Sequence, residues 1–569
     1  MPTELHPNAD FHKAGYLYLL VCWAVFLSYS ILYQLNRCIT LFLRWQQQKR
    51  RRRRRRYTKG RRDNDTTIRA PLEILNHWMR PLEHSRTIPY IATMISTKHL
   101  IGMSLFIIAN IVFIWFSPFK LHPLMDHYEW PIIGILDRRM MYVGMANFSF
   151  TMVLGTRNSI ITALCGLSFE QLIPFHRWCA RLGLAETVLH VVYRAWYGYW
   201  ESGEGSLHDA FFKDEEYTSG TLSLVGYLIL FATSLYYIRR HFFRLFYYWH
   251  IIGIVIATGG AMWHEWSCIY FLYPPTVLWV LDRLLRSYHS WWQQCNLVHM
   301  EQHHEKIVHA KFQHPMLQHF RPGQYFFTAF LTPNNDHGKE PKRWHHRVRN
   351  WIEHHADWYP MTVSNYQEKP SIGSFHIKVL GDGTQRLMQA ARNNNSLHLR
   401  VDGPYGPRLH YMDYDTVALF AVGIGITPAL TILKDCVQQI TRRSFVRKVY
   451  LVWSVTAADE VQPFIDILKE CATYPSLSAV EVNMTIHLTR EKDTSRCMEL
   501  TQHIPGSNII QGYRPNIEQC LNNIEKNEDE EEGGKRVWVH ACGSISFMNT
   551  VINEAVRHGF DFHHETFEF

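Results

Sequence analysis

The stretches Pro174-Phe175-His176-Arg177-Trp178 through Leu189-His190 and Tyr248-Trp249-His250 through Trp263-His264-Glu265 are apolar, and each carries two histidines. Thirteen residues separate the histidines in both. On a helix, fourteen steps of about 100° come to roughly four turns less about 40°, so each pair shares one face. At about 1.5 Å per residue the two rings of a pair stand about 21 Å apart along the axis. Two such helices lying side by side across a bilayer place four imidazoles as two stacked cross-helix pairs, one near each leaflet. That arrangement suits two six-coordinate haems held one above the other. A single histidine in an apolar helix is ordinarily hydrogen-bonded filler. Ionisable groups inside a membrane are costly, however, and the same spacing on two helices points to ligation. Iron held by two histidines has no free ligand position and passes single electrons. The expectation is an electron path across a membrane.

Working outward, the 569 residues leave room for three or four domains, and the apolar segments crowd into the first half. An apolar stretch from Tyr16 to about Leu35 is long enough to span and has no convincing small-residue cleavage site after it, so an uncleaved anchor is expected. Further spans are expected at about 99–117, 139–157, 173–195, 221–238, 245–263 and 268–285, seven in all. Of the net charge of +9, Lys49 and Arg50 to Arg56 contribute eight. Directly after a hydrophobic span, such a run reads as a cytosolic anchor on anionic lipid rather than a nucleic-acid site. The N-terminus then lies outside and the C-terminal half in the cytosol. Basic clusters at Arg239 to Arg244 and Arg283 to Arg286 agree with this orientation, and Arg138-Arg139 dissents. His176 and His250 fall near the cytosolic leaflet, His190 and His264 near the opposite one. Arg157 and Arg181 lie near the inner end, placed either to meet a haem propionate or simply as flanking charges. Eleven scattered cysteines without Cys-x-x-Cys suggest neither a disulfide framework nor a zinc site.

After Ser287 the period changes to that of strands and turns. The insertion between Leu331 and Asp357, whose histidines include His345, His346, His354 and His355, reads as a solvated loop, with a metal site as the alternative. The acidic run Glu528 to Glu532 reads as a surface loop. Arg321-Pro322-Gly323-Gln324-Tyr325 makes a tight turn. In Tyr359-Pro360-Met361-Thr362 the threonine hydroxyl can hydrogen-bond a flavin ring, with its neighbours bracketing ribityl and phosphate. Gly381-Asp382-Gly383-Thr384 opens a helix, where backbone N–H groups make a pyrophosphate seat. Val417 to Val422, Gly423-Ile424-Gly425 and Thr427-Pro428 read as strand, glycine turn and helix, a nucleotide crevice at a strand end. Arg490 and Arg514 follow strand ends and suit a 2′-phosphate, hence NADPH over NADH. Val537 to Cys542-Gly543-Ser544 puts a thiol at another strand end.

These motifs, in this order, resemble the ferric reductase and NADPH oxidase superfamily over roughly residues 99–569. The extra N-terminal span and the lack of a large outer domain resemble the short yeast branch of probable metalloreductases. The resemblance implies an α-helical transmembrane bundle (a six-helix haem core plus one N-terminal helix) followed by a cytosolic ferredoxin-NADP reductase-like module with a β-barrel FAD domain and an α/β nucleotide-binding domain. The expected divisions are 1–98 for the anchor and basic loop, 99–295 for the haem domain, 296–412 for FAD and 413–569 for NADPH. The implied route is NADPH, FAD, an inner b-type haem on His176 and His250, an outer one on His190 and His264, then an external acceptor. By the same resemblance Tyr359, Pro360, Met361, Thr362, Gly381 and Thr384 fall in the FAD site. Gly423, Gly425, Thr427, Pro428, Arg490, Arg514, Cys542 and Gly543 fall in the NADPH site. Phe569 resembles the C-terminal aromatic that stacks on the flavin, so Thr362, Cys542 and Phe569 would stand beside the hydride transfer. Tyr359 and Met361 replace the family's usual His and Phe, which implies weakened FAD affinity, and Ser544 replaces a usual Pro. Flavin is needed because NADPH gives a two-electron hydride while haem takes one electron at a time. The acceptor is expected to be a ferric or cupric chelate. Reduction of O₂ to superoxide, and a catalytically weak membrane scaffold, are the alternatives.

Overall fold

The computed structural model describes residues 12–57, 78–88, 92–117, 132–157, 164–196, 208–293, 295–304, 306–331, 358–367, 369–393, 397–438, 445–473, 480–529 and 536–565. The arginine run's side chains, the His345–His355 insertion, most of the acidic run and Phe569 lie outside the described residues. The chain divides into two compact units, residues 1–35 with 99–285, and residues 36–98 with 286–568.

The first unit is helical. Its elements are α1 (His12–Tyr57, which runs on past this unit), α2 (Thr97–Phe116), α3 (Ile132–Leu154), α4 (Phe169–Trp196), α5 (Glu215–Ser234), α6 (Phe243–His264) and α7 (Cys268–Trp291). Each of the seven expected spans falls on one of these helices. Four of them, α1, α2, α6 and α7, are long and apolar enough to cross a membrane. The other three carry polar groups that turn inward. Tyr18, Asn110, Asn147 and Glu186 form one buried network: Tyr18 Oη donates to Asn147 Oδ1 at 2.9 Å, and Asn147 Nδ2 reaches Glu186 Oε2 at 2.8 Å. Buried polar groups need such partners in an apolar medium.

Two sequence expectations shift. The span placed at 221–238 is the helix 215–234: Asp214 caps its start by accepting from Tyr217 N, and Leu235 leaves helical geometry. Arg138 and Arg139 are not a misplaced flank. Arg139 is buried and donates to the Trp115 carbonyl at 2.8 Å, satisfying the open C-terminal end of α2, while Arg138 lines a cavity of the helical unit. Small residues let α5 and α6 approach closely. A methyl group added to Gly260 would stand 2.6 Å from Ser223 N, and Ser223 Oγ donates to the Ala257 carbonyl at 2.9 Å.

The second unit holds two further folds. Strands β3 (Asn296–His304), β4 (Ile307–Gln313), β8 (Ile372–Lys378) and β7 (Asn365–Gln367) form one antiparallel sheet, in that order. Strands β6 (Tyr359–Thr362), β5 (Tyr325–Leu331) and β9 (His398–Tyr405) form the other. Both sheets and helix α8 (Asp382–Arg392) close on one core containing Phe312, Phe326, Phe375, Leu387 and Val401. Alternating inward apolar residues in β4 and β8 dictate that packing.

The last part is a six-stranded parallel sheet. Its strands are β10 (Thr416–Val422), β11 (Lys448–Val455), β12 (Glu481–Leu488), β13 (Ser507–Gln511), β14 (Val537–Cys542) and β15 (Asp561–Glu565), in the order β13-β12-β11-β10-β14-β15. Near-continuous apolar strands such as Val417–Ala421 are what a sheet covered on both faces requires. Helices α9 (Ile426–Gln438), α10 (Ile465–Thr473), α11 (Thr494–His503), α12 (Ile517–Asp529) and α13 (Ile545–Arg557) connect the strands. The strand order reverses beside β10, and that switch point opens the crevice at its C-terminal end.

The N-terminal region departs from the expected anchor-and-loop. Strands β1 (Ser85–Ile88) and β2 (Ala92–Ser96) form a hairpin. It is fastened to α13 by Ser85 Oγ donating to Asn549 Oδ1 at 2.6 Å, and Arg80 pairs with Asp561 at 2.5 Å.

Candidate functional site

In the helical unit, α4 and α6 bring the four histidines together as two pairs. The ring centroids of His176 and His250 stand 6.4 Å apart. Two imidazoles ligating one metal ion from opposite sides, each nitrogen about 2.0 Å from it, put their centroids about 6.3 Å apart. His190 and His264 both line a cavity of about 320 Å³, together with Arg138, Tyr142, Arg194 and Glu265.

All four rings use Nδ1 for a protein partner. His176 Nδ1 lies 2.7 Å from the Thr151 carbonyl, and His250 Nδ1 lies 3.1 Å from Ser234 Oγ. His190 Nδ1 meets Asp137 Oδ1 at 2.9 Å, and His264 Nδ1 meets the Glu216 carbonyl at 2.7 Å. Nδ1–H donating to a carbonyl or carboxylate leaves Nε2 as the lone-pair nitrogen, which is how ligating histidines are oriented. Thr151, Asp137, Glu216 and Ser234 carried no readable signal, since each acts through a contact that crosses between helices. Arg157 lies over the Phe169 ring at 5.5 Å and Arg181 over Trp178 at 5.0 Å.

In the antiparallel module, Tyr359, Pro360, Met361 and Thr362 form β6, paired to β5 through Tyr325↔Thr362 and Thr328↔Tyr359. Thr362 is buried and its Oγ1 has no hydrogen-bond partner. A buried hydroxyl left alone costs free energy, and a bound flavin would supply its partner. The Tyr359 hydroxyl sits against Gly383, where any added side chain would collide with it. The structure therefore joins β6 to the start of α8. There Thr384 Oγ1 accepts from Leu380 N and Gly381 N at 3.0 and 3.2 Å.

At the parallel sheet, Gly423 has φ +56°, and Trp453 Nε1 donates to its carbonyl at 2.9 Å. A methyl group on Gly425 would stand 2.5 Å from the Cys542 carbonyl, so the turns after β10 and β14 touch. Gly543 likewise abuts Val422. Thr427 and Pro428 lie in the first turn of α9, and Thr427 Oγ1 donates to the Ile424 carbonyl at 3.2 Å. Burial, with Glu565 adding to it, pushes the Cys542 thiol well above its usual range, so it stays protonated. Arg490 and Arg514 are exposed after the ends of the neighbouring strands β12 and β13. Sequence reading missed Lys378, whose Nζ would lie 3.9 Å from a side chain at Gly423. It closes β8 and carries no motif.

Comparison with known proteins bears on both halves. Residues 141–261 match the family described as "Ferric reductase like transmembrane component", and residues 414–556 match "Ferric reductase NAD binding domain". The chain is 24% identical over 397 residues to "Ferric reduction oxidase 7, chloroplastic" of Arabidopsis thaliana, covering 65% of this chain and 49% of that protein. It is 23% identical over 385 residues to a superoxide-generating NADPH oxidase heavy chain of Dictyostelium discoideum, covering 60% and 51%. To "Ferric reductase transmembrane component 5" of Saccharomyces cerevisiae it is 23% identical over 459 residues, covering 74% and 58%. The chain thus spans about half the length of the curated relatives it matches.

Proposed function

We propose that this chain, which matches ferric reductase family models at residues 141–261 and 414–556, is a member of the ferric reductase and NADPH oxidase superfamily that reduces ferric or cupric chelates across a membrane at the expense of cytosolic NADPH. Transmembrane NAD(P)H-dependent electron transfer is the family's activity, and FAD and NAD(P)H binding go with its nucleotide-binding domain. The finer reading adds two b-type haems, one on His176 and His250 and one on His190 and His264. The single observation that carries it is the 6.4 Å separation of the His176 and His250 rings, each oriented through Nδ1.

When bound, flavin takes the hydride and haem passes electrons singly. The chain's own residues bind, orient and exclude. Thr362 offers its hydroxyl to the flavin ring, with Tyr359, Pro360 and Met361 beside it and Gly381 and Thr384 at the pyrophosphate seat. Gly423, Gly425, Thr427, Pro428 and Gly543 shape the NADPH crevice, while Arg490 and Arg514 bind the 2′-phosphate. Cys542 would line the nicotinamide side. The seven helices are read as seven spans, with the dehydrogenase half in the cytosol and the arginine run on anionic lipid.

Reduction of O₂ is the second reading, favoured by the Dictyostelium relative, which matches this chain about as well as the plant ferric reduction oxidase does. Proteoliposomes holding the protein decide between them. With NADPH on the dehydrogenase side and Fe(III)-citrate on the other, under argon, the metalloreductase forms Fe(II) in step with NADPH loss. An oxidase leaves the iron ferric under argon and makes superoxide on adding air without metal.

A further inference from the structure

We propose that the face of the β3-β4-β8 sheet turned away from Phe312 and Phe375 holds a binding site for a late first-row divalent cation, zinc(II) above all, made by His303, His309, His376 and Glu301.

Strand register builds the site. Glu301 on β3 lies opposite His309 on β4, and His309 lies opposite His376 on β8. Residues directly across a sheet share a face, and so do residues two apart along one strand. His303 stands at the irregularity of β3 between Gln302 and His304, and its ring contact with His309 adds it to the row Glu301–His309–His376. Ligand nitrogens of the three histidines lie within 4.8 Å of one another. Their ring centroids are separated by 4.8 Å (His303–His309), 4.6 Å (His309–His376) and 6.0 Å (His303–His376). Two imidazoles bound tetrahedrally to one ion at about 2.0 Å have centroids about 5 Å apart. Glu301 Oε1 already stands between two of the rings, 2.8 Å from His303 Nε2 and 3.2 Å from His309 Nδ1. Its other oxygen meets His299 Nε2 at 3.0 Å.

Three features argue for a ligand rather than packing alone. His376 is 94% buried, since its relative exposure is 6%. Its Nδ1 lies 2.7 Å from Ser364 Oγ, while Nε2, near the Pro463 carbonyl, makes no hydrogen bond of good geometry. A buried imidazole with one nitrogen left over is costly unless something binds it. Secondly, depth is graded: His376 is buried, His309 intermediate and His303 exposed, which leaves a path from solvent. Thirdly, the Phe464 ring stands 4.5 Å from the His376 ring and sets an apolar group beside it. Three imidazoles and one carboxylate form a closed four-donor set, which suits zinc(II) or copper(II) and not the oxygen-seeking magnesium or calcium. Such an ion ties together three strands, two of them adjacent to each other only through β4.

The test uses the full-length chain in detergent, stripped with EDTA and dialysed against ZnCl₂, with bound metal counted by mass spectrometry. One zinc per chain is expected to be lost in H303Q/H309Q, with at least a 30-fold weaker affinity. It is expected to survive in H337Q/H345Q/H346Q/H354Q/H355Q, which empties the histidine-rich insertion. Since the double variant could fail to fold, H303Q alone changes an exposed side chain. It should weaken zinc about tenfold while leaving the metal-free unfolding temperature unchanged. The proposal is overturned if zinc never reaches one equivalent, if it persists in H303Q/H309Q, or if it disappears with the insertion's histidines instead.

Discussion

His176 and His250 face one another with ring centroids 6.4 Å apart, each anchored by Nδ1 to a group on a neighbouring helix. If both ligate one haem, His250→Ala removes that haem and spares the other. Haem per chain, read from the pyridine haemochrome, should fall by half. NADPH-driven reduction of the acceptor should stop. Unchanged haem content would separate these rings from the cofactor.

Asp137 is the carboxylate that orients His190, at 2.9 Å, while its second oxygen lies 3.4 Å from Arg194 Nε. Orienting partners of this kind typically change affinity by about 10–100-fold. Asp137→Asn keeps the shape and loses the charge, so it is expected to loosen the outer haem and shift its midpoint potential without touching the inner one. Haem loss measured at increasing dilution, alongside a redox titration, checks both effects.

The Gly425 contact gives a sharper steric prediction. A methyl group there meets the Cys542 carbonyl at 2.5 Å, backbone against side chain, with no flexible end to yield. Gly425→Ala should push the turn after β10 away from that after β14 and raise the KM for NADPH about tenfold or more. Replacing Arg490 and Arg514 with Gln should act differently. Charge-assisted hydrogen bonds are worth about 1.5–3 kcal/mol each. The double variant should therefore lose kcat/KM for NADPH by at least about a hundredfold and little for NADH. Equal losses on both cofactors would contradict the phosphate role.

Acid should weaken the parallel-sheet domain through His540 and His563, whose Nδ1 atoms stand 3.2 Å apart on adjacent strands, with His564 beside them. Burial drives His540 down to about 3 and His563 well below its usual value, so the folded domain holds both neutral. The unfolded chain protonates them near about 6.5. Unfolding therefore takes up protons between those limits. Stability is full above about pH 6.5 and falls as pH drops towards 3, by about 1.4 kcal/mol per pH unit for each proton. His540→Phe should flatten that fall by about one proton, read from denaturant midpoints between pH 4.5 and 7.5.

Much of this architecture was legible because its signals are local. The thirteen-residue spacing in α4 and α6 repeats within single helices, and Gly423-Ile424-Gly425 lies between its own strand and helix. What escaped depends on contacts distant in sequence. Ser85 bonds Asn549 and Asn553 on α13, so a segment assigned to the basic loop packs on the nucleotide-binding half. Arg139 reads as a charge on the wrong side until its bond to the Trp115 carbonyl explains it. His303, His309 and His376 meet only through strand register, whereas the eye is drawn to the histidine-dense insertion before Asp357. Spacing along the chain reveals helix faces, and register across strands does not show in it.

The central claim is most directly tested on membranes carrying the protein, with NADPH added under argon while the haem α-band is followed. A two-haem band that reduces with NADPH and is rapidly reoxidised by Fe(III)-citrate, with slow reaction towards O₂ and little superoxide, is the expected result. Rapid reoxidation by O₂ with stoichiometric superoxide would contradict the metalloreductase assignment. Absence of any haem band would contradict the paired-histidine path itself.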